Sequence, residues 1–586
     1  MSGFEVFSGL REHEVRSNPC LMPICRATQN MMQGQKVTHQ SIGETGDEEL
    51  EKGNMKRKKM NEKIADWMGQ VVRWLSFVCL ARVLLLNLFY TSSVGDQEMV
   101  SITGSSWQWI PAAAALLVLL VFWCRVADRI PEKKLFAGLT VFYVIAGCYF
   151  IFNITPTIRD DAKSVYDAAA AMADGDFSSL DAGNYLYVYP YQIGIVTYDR
   201  IVRLLGESVK FLEALNLAQI IGINYFSYRL ADLFFGGNRK INHLTILLSF
   251  AFLPQLFFLM FKYGLIPGFF FMIGCFYFLM RWLRDQRPLF AAVSVAFGAV
   301  AACIKMNYLI GIIAVAAIVI VEAVRRKRWR YGILAAVYLL ASVGAGKGLQ
   351  LACELESGIK MPQGMNTFFW VVMGTDIDNE VRGPGWYNSI GWKVMGEHDF
   401  DIEESNQEAS RLMDENIRKI LADPGKAASF FERKTISLWC DPIYQSLWSG
   451  LSKYEVDSGS VQKDFLRSLY YNEAPEQACE VFLKGLLVIL TAGAVIFLLL
   501  HWKQYPGLMY APLYFLGGFL FHSFWEAKSQ YVYTYIFILI PLCAFEMYCL
   551  SEWFRQFVAV RRKRCRAAAK VRRKKGAADD KRKNTL

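Results

Sequence analysis

The chain has 586 residues, of which 54% are hydrophobic and 15% aromatic, and it carries a formal net charge of +11. Its apolar residues are gathered into blocks of roughly 17 to 23 residues, the length of a helix that crosses a bilayer, which excludes a soluble globular protein. The positive charge lies in short connections between these blocks and in a C-terminal tail, a placement that argues against a nucleic-acid partner.

The apolar blocks predict an all-α polytopic membrane protein with about twelve transmembrane helices. They approximate to residues 71–90, 109–124, 135–152, 211–235, 244–261, 265–283, 289–304, 308–324, 331–351, 481–500, 508–524 and 531–550. The predicted organisation is a disordered cytoplasmic segment, a transmembrane module with an acidic outer loop at 153–210, an extracytoplasmic loop domain, C-terminal spans and a basic cytoplasmic tail. These five parts cover residues 1–65, 66–351, 352–480, 481–552 and 553–586.

Lysine and arginine are concentrated in alternate connections and in the tail at 561–583, whereas the loop at 92–106 has neither. By the positive-inside rule the basic loops and both termini are cytoplasmic, in a multi-pass protein of the cell membrane. The tail is expected to lie against anionic lipid, which contributes ~1 kcal/mol per near-surface cation. No apolar stretch follows a basic start, so no signal peptide is predicted, and translation starting at Met55 or Met60 is an alternative.

Residues 192–206 are apolar in part but are predicted to lie in the membrane interface. Asp199, Arg200 and Arg203 fall on one helical face, with apolar residues opposite. Counting this helix as a crossing would also place every later basic loop outside.

Asp160 and Asp161 open the outer loop directly after an apolar block. One interpretation is structural: one aspartate caps the following helix and the other interacts with its dipole. The other is catalytic, with one carboxylate accepting a proton from an acceptor hydroxyl, since neighbouring helical positions point in different directions.

Three lysines, Lys262, Lys305 and Lys528, stand where a span meets an outer turn. Each either extends its ammonium to the interface or binds a lipid phosphate. Lys528, Lys305 and Arg382 are the candidates for the phosphate, and Glu526 lies two residues from Lys528.

Aromatic residues mark two outer segments: the tyrosines at 185, 187, 189 and 191, and Trp386 with Tyr387 in a Gly/Pro-rich loop. They are typical of an interfacial aromatic belt and equally of a sugar-binding surface. Tyr189, Trp386, Tyr387 and Glu526 are the predicted substrate-binding residues. The scattered cysteines and histidines form no zinc motif and no disulfide framework.

The order of these features resembles the GT-C-fold membrane glycosyltransferases, among them the protein O-mannosyltransferases and the bacterial aminoarabinose transferases. The resemblance rests on the fragments RDDAKSVYDAAAAMADGDF, YLYVYPYQIG, KMNYLIGIIAV and FWEAKSQYVYTY. It implies inverting transfer of a sugar from a polyprenyl-phosphate donor to an extracytoplasmic acceptor: a cell-envelope polymer, a glycolipid or a protein. It also implies that Asp160 is the general base and that Asp161 supports it.

The chain departs from this family in two places. Many members carry an acid in the next outer loop, where this chain reads FKYGLIPG, which argues against a Mg²⁺ or Mn²⁺ cofactor. The late basic turn of the family is EAKSQY here, with Lys528 as its cation. A sugar or lipid transporter and an O-antigen-ligase-like polymerase are the alternative functions. Few charges lie away from the span ends, which disfavours the transporter, and a ligase would depend on outer-loop Arg and His.

Overall fold

The computed structural model describes residues 45–155, 158–450, 461–470 and 473–583. The chain divides into two units, Met1–Met60 and Asn61–Leu586, and all residues of the candidate site lie within the second. Residues 1–44 of the segment predicted to be disordered lie outside the described residues. The first helix begins at Thr45, earlier than predicted, in a stretch rich in the helix formers Glu, Lys and Met.

The described residues are almost entirely helical. The helices are α1 (Thr45–Phe89), α2 (Trp109–Val126), α3 (Glu132–Asn153), α4 (Asp160–Ala173), α5 (Tyr185–Val188), α6 (Ile193–Arg203), α7 (Val209–Phe234), α8 (Arg239–Ala251), α9 (Pro254–Phe257), α10 (Leu265–Asp285), α11 (Pro288–Ile304), α12 (Leu309–Arg326), α13 (Trp329–Ser357), α14 (Phe368–Thr375), α15 (Ile390–Glu397), α16 (Ile402–Ala422), α17 (Pro424–Trp439), α18 (Ser446–Gly450), α19 (Val461–Ser468), α20 (Ala474–Leu500), α21 (Tyr510–Phe524), α22 (Tyr533–Phe537) and α23 (Ile540–Lys583).

Eight of the described helical segments are long and apolar enough to cross a membrane. A ninth is obtained if Arg239–Ala251 and Pro254–Met260, which are bent by 44°, form one span. The structure therefore agrees with an all-α membrane protein, while the predicted count of about twelve spans is not confirmed.

Burial differs sharply between central and peripheral spans. In the most apolar part of Tyr533–Lys563, 83% of the residues are buried inside the protein, against 17% in Trp329–Ser357. A peripheral helix with so much exposed apolar surface would be unfavourable in water, and hydrocarbon around it removes that cost.

A short hairpin joins the first two spans. Strands β1 (Tyr90–Val94) and β2 (Val100–Gly104) pair in antiparallel register, with Tyr90 opposite Gly104 and Val94 opposite Val100. The sequence analysis did not predict this hairpin, although β-branched residues on both sides of Gly95 are a hairpin signal. The hairpin matters because its turn carries Glu98.

Helix α6 is not among the candidate spans, and it packs against α4, α11 and α13. Arg200 on it forms a bidentate ion pair with Glu356 of α13, at 2.6 Å and 2.9 Å. Asp199 was expected on an open polar face but is buried, because protein surrounds the helix on more than one side. Leu204 and Leu205 at its end are exposed, as an interfacial helix requires.

The long loop domain packs on the segment before α6. Tyr189 and Val188 share a buried apolar cluster with Met365, Phe369 and Met395 from the region of α14 and α15. A parallel β-bridge joins Trp386 to Ala527. This packing brings the acidic outer loop, the loop domain and the turn after α21 to one place.

Candidate active site

A cavity of about 1010 Å³ lies where these three segments meet. Of the nine residues that the sequence predicts for the site, all but Trp386 line it. They are Asp160, Asp161, Tyr189, Lys305, Arg382, Tyr387, Glu526 and Lys528. The structure thus brings together side chains that are separated by hundreds of residues in the chain.

Both aspartates lie in the first turn of α4, where the helix dipole favours negative charge. The capping role expected for one of them is not seen, because Arg159 occupies the cap position and its side chain makes no cap hydrogen bond. Asp160 has a left-handed backbone, with φ of 53°. This conformation is uncommon outside glycine but is tolerated by Asp and Asn.

The two carboxylates have different neighbours. Asp160 is 72% exposed, and the cation beside it is Arg159, 3.9 Å away. Arg159 also lies over the ring of Trp448, at 4.4 Å, and donates to the carbonyl of that residue. Asp160 is therefore the partner of an arginine that is itself fixed to the cavity wall.

Asp161 faces the lysines. Its side chain is open to the cavity, yet protein encloses the cavity, and this burial raises the pKa of the carboxyl while Lys528 and Lys305 oppose the shift. A carboxylate with a raised pKa beside two cations is a better proton acceptor than an ordinary aspartate, because a higher pKa means a stronger base. Asp161 is thus a cavity-facing acid whose negative charge Lys528 and Lys305 stabilise.

Among the cations that line the cavity, Lys528 has the most acidic neighbours. Its ammonium is 3.0 Å from Glu98 and 4.0 Å from Glu526. Burial opposes the charge on Lys528, but Glu98, Glu526 and Asp161 outweigh it and raise the pKa of the lysine. Lys528 therefore remains charged at physiological pH.

Glu98 was missed by the sequence analysis and is buried at the cavity wall. Its Oε2 accepts from Arg382 at 2.6 Å, and its Oε1 accepts from Gln445 at 2.8 Å. Burial alone would raise the pKa of Glu98, but Lys528, Gln445 and Arg382 together lower it. Glu98 is therefore an ionised carboxylate bound to the cations predicted for the phosphate.

Glu526 differs from Glu98 in having few donors around it. The Tyr531 hydroxyl lies 3.4 Å from its Oε2. Burial raises the pKa of Glu526 to about 7, although Lys528 opposes the shift. Its protonation state therefore changes near neutral pH.

Lys305 stands at the junction of α11 and α12. Its ammonium lies over the Tyr263 ring at 4.3 Å and donates to the Tyr263 carbonyl at 3.4 Å. Burial lowers the pKa of Lys305 to about 8, while Asp161 raises it. Lys262, the third lysine singled out in the sequence, instead forms a buried ion pair with Glu213 at 2.6 Å.

One wall of the cavity is a column of stacked aromatic rings. Tyr189 stacks on Trp370 at 5.9 Å, Trp370 on Trp525 at 6.4 Å, and Trp525 on Phe521 at 4.7 Å. The four rings line the cavity and form one aromatic wall of it.

A second apolar surface continues along α12. Met306, Leu309, Ile310 and Ile313 line the cavity and belong to the candidate span Met306–Arg326. Ile313 lies one turn beyond Ile310 and is 61% exposed. The cavity therefore has a charged end in the connecting loops and an apolar wall that follows a candidate membrane span.

Trp386 is 2% exposed and does not line the cavity. Its indole donates to Ser437 at 3.0 Å, and the neighbouring Gly385 carbonyl accepts from the Ala527 amide at 2.8 Å. The segment around Trp386 thus holds the turn that carries Glu526 and Lys528, and the ring itself has no free face for a substrate.

Lys434 of α17 binds the same turn. Its buried ammonium donates to the carbonyls of Gly374, Trp525 and Ser523 at 2.6, 2.7 and 3.1 Å. The turn packs closely against the backbone of Gly374, because a Cβ on Gly374 would lie 2.2 Å from the Phe524 carbonyl oxygen. Lys434 is thus a positioning residue for the turn.

Replacement of this lysine tests the role. We expect Lys434→Ala to lower the free energy of unfolding by about 3 kcal/mol, because three inward-facing carbonyls lose their donor. The thermal midpoint in detergent should fall by several degrees, whereas Lys393→Ala, at a 67% exposed lysine of the same domain, should leave it unchanged. Equal midpoints for the two variants would contradict the role given to Lys434.

Glu98 and Glu526 do not fit a divalent metal ion. Both oxygens of Glu98 accept from cationic or amide donors, and the Lys528 ammonium occupies the space between Glu98 and Glu526. Mg²⁺ needs oxygen ligands at about 2.1 Å in place of those donors. Among the described residues, the group with three clustered metal-ligand types is His501, Glu546 and Cys549, and none of these lines the cavity.

Comparisons with protein-family models, with the sequences of curated proteins and with solved structures find no match to this chain.

Proposed function

We propose that this protein transfers a sugar from a polyprenyl-phosphate donor to an acceptor hydroxyl on the extracytoplasmic side of the membrane. The observation that carries the proposal is the composition of one cavity. It places a basic carboxylate, two lysines and an arginine next to an apolar wall that continues along a membrane span. A polyprenyl-phosphate donor is divided in the same way, into a charged headgroup and a hydrocarbon chain.

In the proposed reaction the acceptor hydroxyl attacks the anomeric carbon of the donor sugar. Asp161 takes the hydroxyl proton as the new C–O bond forms, and the bond from the anomeric carbon to the phosphate oxygen breaks with its electron pair on phosphate. The leaving phosphate gains one negative charge, so nearby cations stabilise the transition state more than the ground state. Lys528, Arg382 and Lys305 have this role. Attack opposite the leaving phosphate inverts the anomeric centre.

Asp161, and not Asp160, is our candidate for the base. The sequence assigned the role to Asp160 by resemblance, but Asp160 is paired with Arg159, whereas Asp161 faces both lysines. Asp160 then balances the positive charge of Arg159 and shapes the turn into α4 through its left-handed backbone.

At the level of the fold we propose a GT-C-like bundle of twelve spans. The eight candidate spans and the bent pair supply nine. Three further helices, α7, α11 and α21, coincide with apolar blocks of the sequence and would complete the set.

The proposal requires the cavity to lie outside and the basic loops inside. We expect Val381→Cys to react with an impermeant maleimide in intact cells, because Val381 is 69% exposed on the loop that carries Arg382 and Trp386. Arg328→Cys, in a basic connection, should react only after the membrane is permeabilised. Both variants are made in a chain without its native cysteines, and the opposite pattern would invert the topology.

The function itself is tested with purified protein and polyprenyl-phosphate hexoses. Release of the free lipid phosphate, dependent on added acceptor, is the expected result. Preparations of envelope polymer, glycolipid and protein are compared as acceptors. No release with any hexose and any of these acceptors would overturn the transferase.

A further inference from the structure

The charges that face the cavity nearly cancel. Three cations, Lys305, Lys528 and Arg382, stand against three acids, Glu98, Asp161 and Glu526. The other charged residues at the wall are already paired, Arg159 with Asp160 at 3.9 Å and Lys262 with Glu213 at 2.6 Å.

This near-equality of positive and negative charge limits the negative charge that a ligand bound in the cavity can carry. Asp161 must be ionised to accept a proton, and Glu98 is held ionised by its three donors. Burial raises the pKa of Glu526 to about 7, so its charge at neutral pH is partial. The surplus available to a bound anion is therefore between zero and one positive charge.

Glu98 is the acid that reduces the excess positive charge at the place where the phosphate is proposed to bind. It contacts Lys528 at 3.0 Å and Arg382 at 2.6 Å, the two cations that would otherwise be free for the ligand. A carboxylate within 4 Å of these cations also acts on any anion that they bind, and its repulsion grows with each charge on that anion.

The backbone supports a specific role for this side chain. Gln97 and Glu98 both have left-handed conformations, with φ of 56° and 62°. Such strain persists where the surroundings impose it, and it is concentrated at functional sites. The amide of Val100 also donates to the Arg382 carbonyl at 2.8 Å, which fixes the hairpin turn to the loop that carries the arginine.

We propose that Glu98 is a specificity-determining residue that restricts the cavity to a lipid phosphodiester with one negative charge and disfavours a lipid diphosphate. The inference rests on the proposed function, because it concerns the donor of that reaction. It also predicts easier release of the lipid monophosphate product, whose phosphate carries more negative charge than the donor.

The test measures binding of two probes that share a dodecyl chain, a methyl phosphodiester and a diphosphate, to the purified full-length protein at pH 7. We expect the wild type to bind the phosphodiester at least as tightly as the diphosphate. Glu98→Gln should then gain at least about 10-fold more affinity for the diphosphate than for the phosphodiester. Glu397→Gln, at an exposed acid outside the cavity, should leave both affinities unchanged.

The outcomes separate this inference from the proposed function. Binding of neither probe to the wild type or to the variants would overturn both. Binding of the phosphodiester with the same selectivity in the wild type and Glu98→Gln would overturn the role of Glu98 alone. The wild-type measurement decides even if the variant does not fold, because a wild-type preference for the diphosphate of 10-fold or more contradicts the inference.

Discussion

Asp161→Asn is expected to lower turnover by at least about 10²-fold while the protein remains folded. The amide keeps the size of the carboxylate and stays in the first turn of α4, but it cannot accept the proton of the acceptor hydroxyl. The measurement is sugar transfer per folded molecule, with saturating donor and acceptor.

Asp160→Asn is the matched control, because it is the neighbouring carboxylate and Asn also tolerates the left-handed backbone. We expect a much smaller decrease in turnover, since Asp160 faces Arg159 and not the lysines. A large loss in Asp160→Asn with near-normal turnover in Asp161→Asn would return the base to Asp160. Normal turnover in both would leave the acidic turn with a structural role only.

The pH profile gives a second readout for Asp161. Because burial raises the pKa of Asp161, the turnover of the wild type should fall with decreasing pH at a midpoint above the ordinary value of 3.8. The residual activity of Asp161→Asn should lack this decrease. Since Glu526 also titrates, with its pKa raised by burial to about 7, the comparison is made in a Glu526→Gln background.

Lys528→Ala is expected to lower kcat/KM for the lipid donor by about 10- to 150-fold, the worth of a charge-assisted contact of 1.5–3 kcal/mol. Both KM and kcat should change. The donor KM should rise because the phosphate loses a cation, and kcat should fall because the leaving phosphate gains charge in the transition state.

Lys528→Arg should retain part of the activity, because the charge is preserved while the geometry of its donors differs. Lys163→Ala is the control, at a lysine on α4 that is 59% exposed and does not line the cavity. Unchanged donor kinetics in Lys528→Ala would mean that this lysine serves only as the counter-ion of Glu98.

Patterns along the chain were sufficient to predict the class of protein and several of its parts. Runs of apolar residues predict helices in lipid because a bilayer leaves no other way to satisfy a single segment's backbone hydrogen bonds. The helix that begins at Asp160 and the helix at 193–203 follow from composition and periodicity in the same way. The lysines at the outer ends of spans were likewise recognisable from sequence, since a cation at that position needs an interface or a partner.

The composition of the site depended on contacts that no local pattern contains. Glu98, Arg382, Gln445 and Lys528 are far apart in the chain and meet only because the hairpin, the loop domain and the last outer turn pack together. Trp386 looked like a ligand-binding aromatic in sequence, yet its contacts with Ser437 and with the turn at Ala527 bury it.

The sequence by itself therefore determined that the chain is a helical membrane protein with acids and lysines in the connections between its apolar segments, because hydrophobic length and charge placement act locally. Only the tertiary structure distinguished Asp161 from Asp160 and brought Glu98 to the cations. The physical reason is that the direction of a side chain depends on backbone dihedrals such as the φ of 53° at Asp160, and its electrostatic environment depends on neighbours supplied by distant segments.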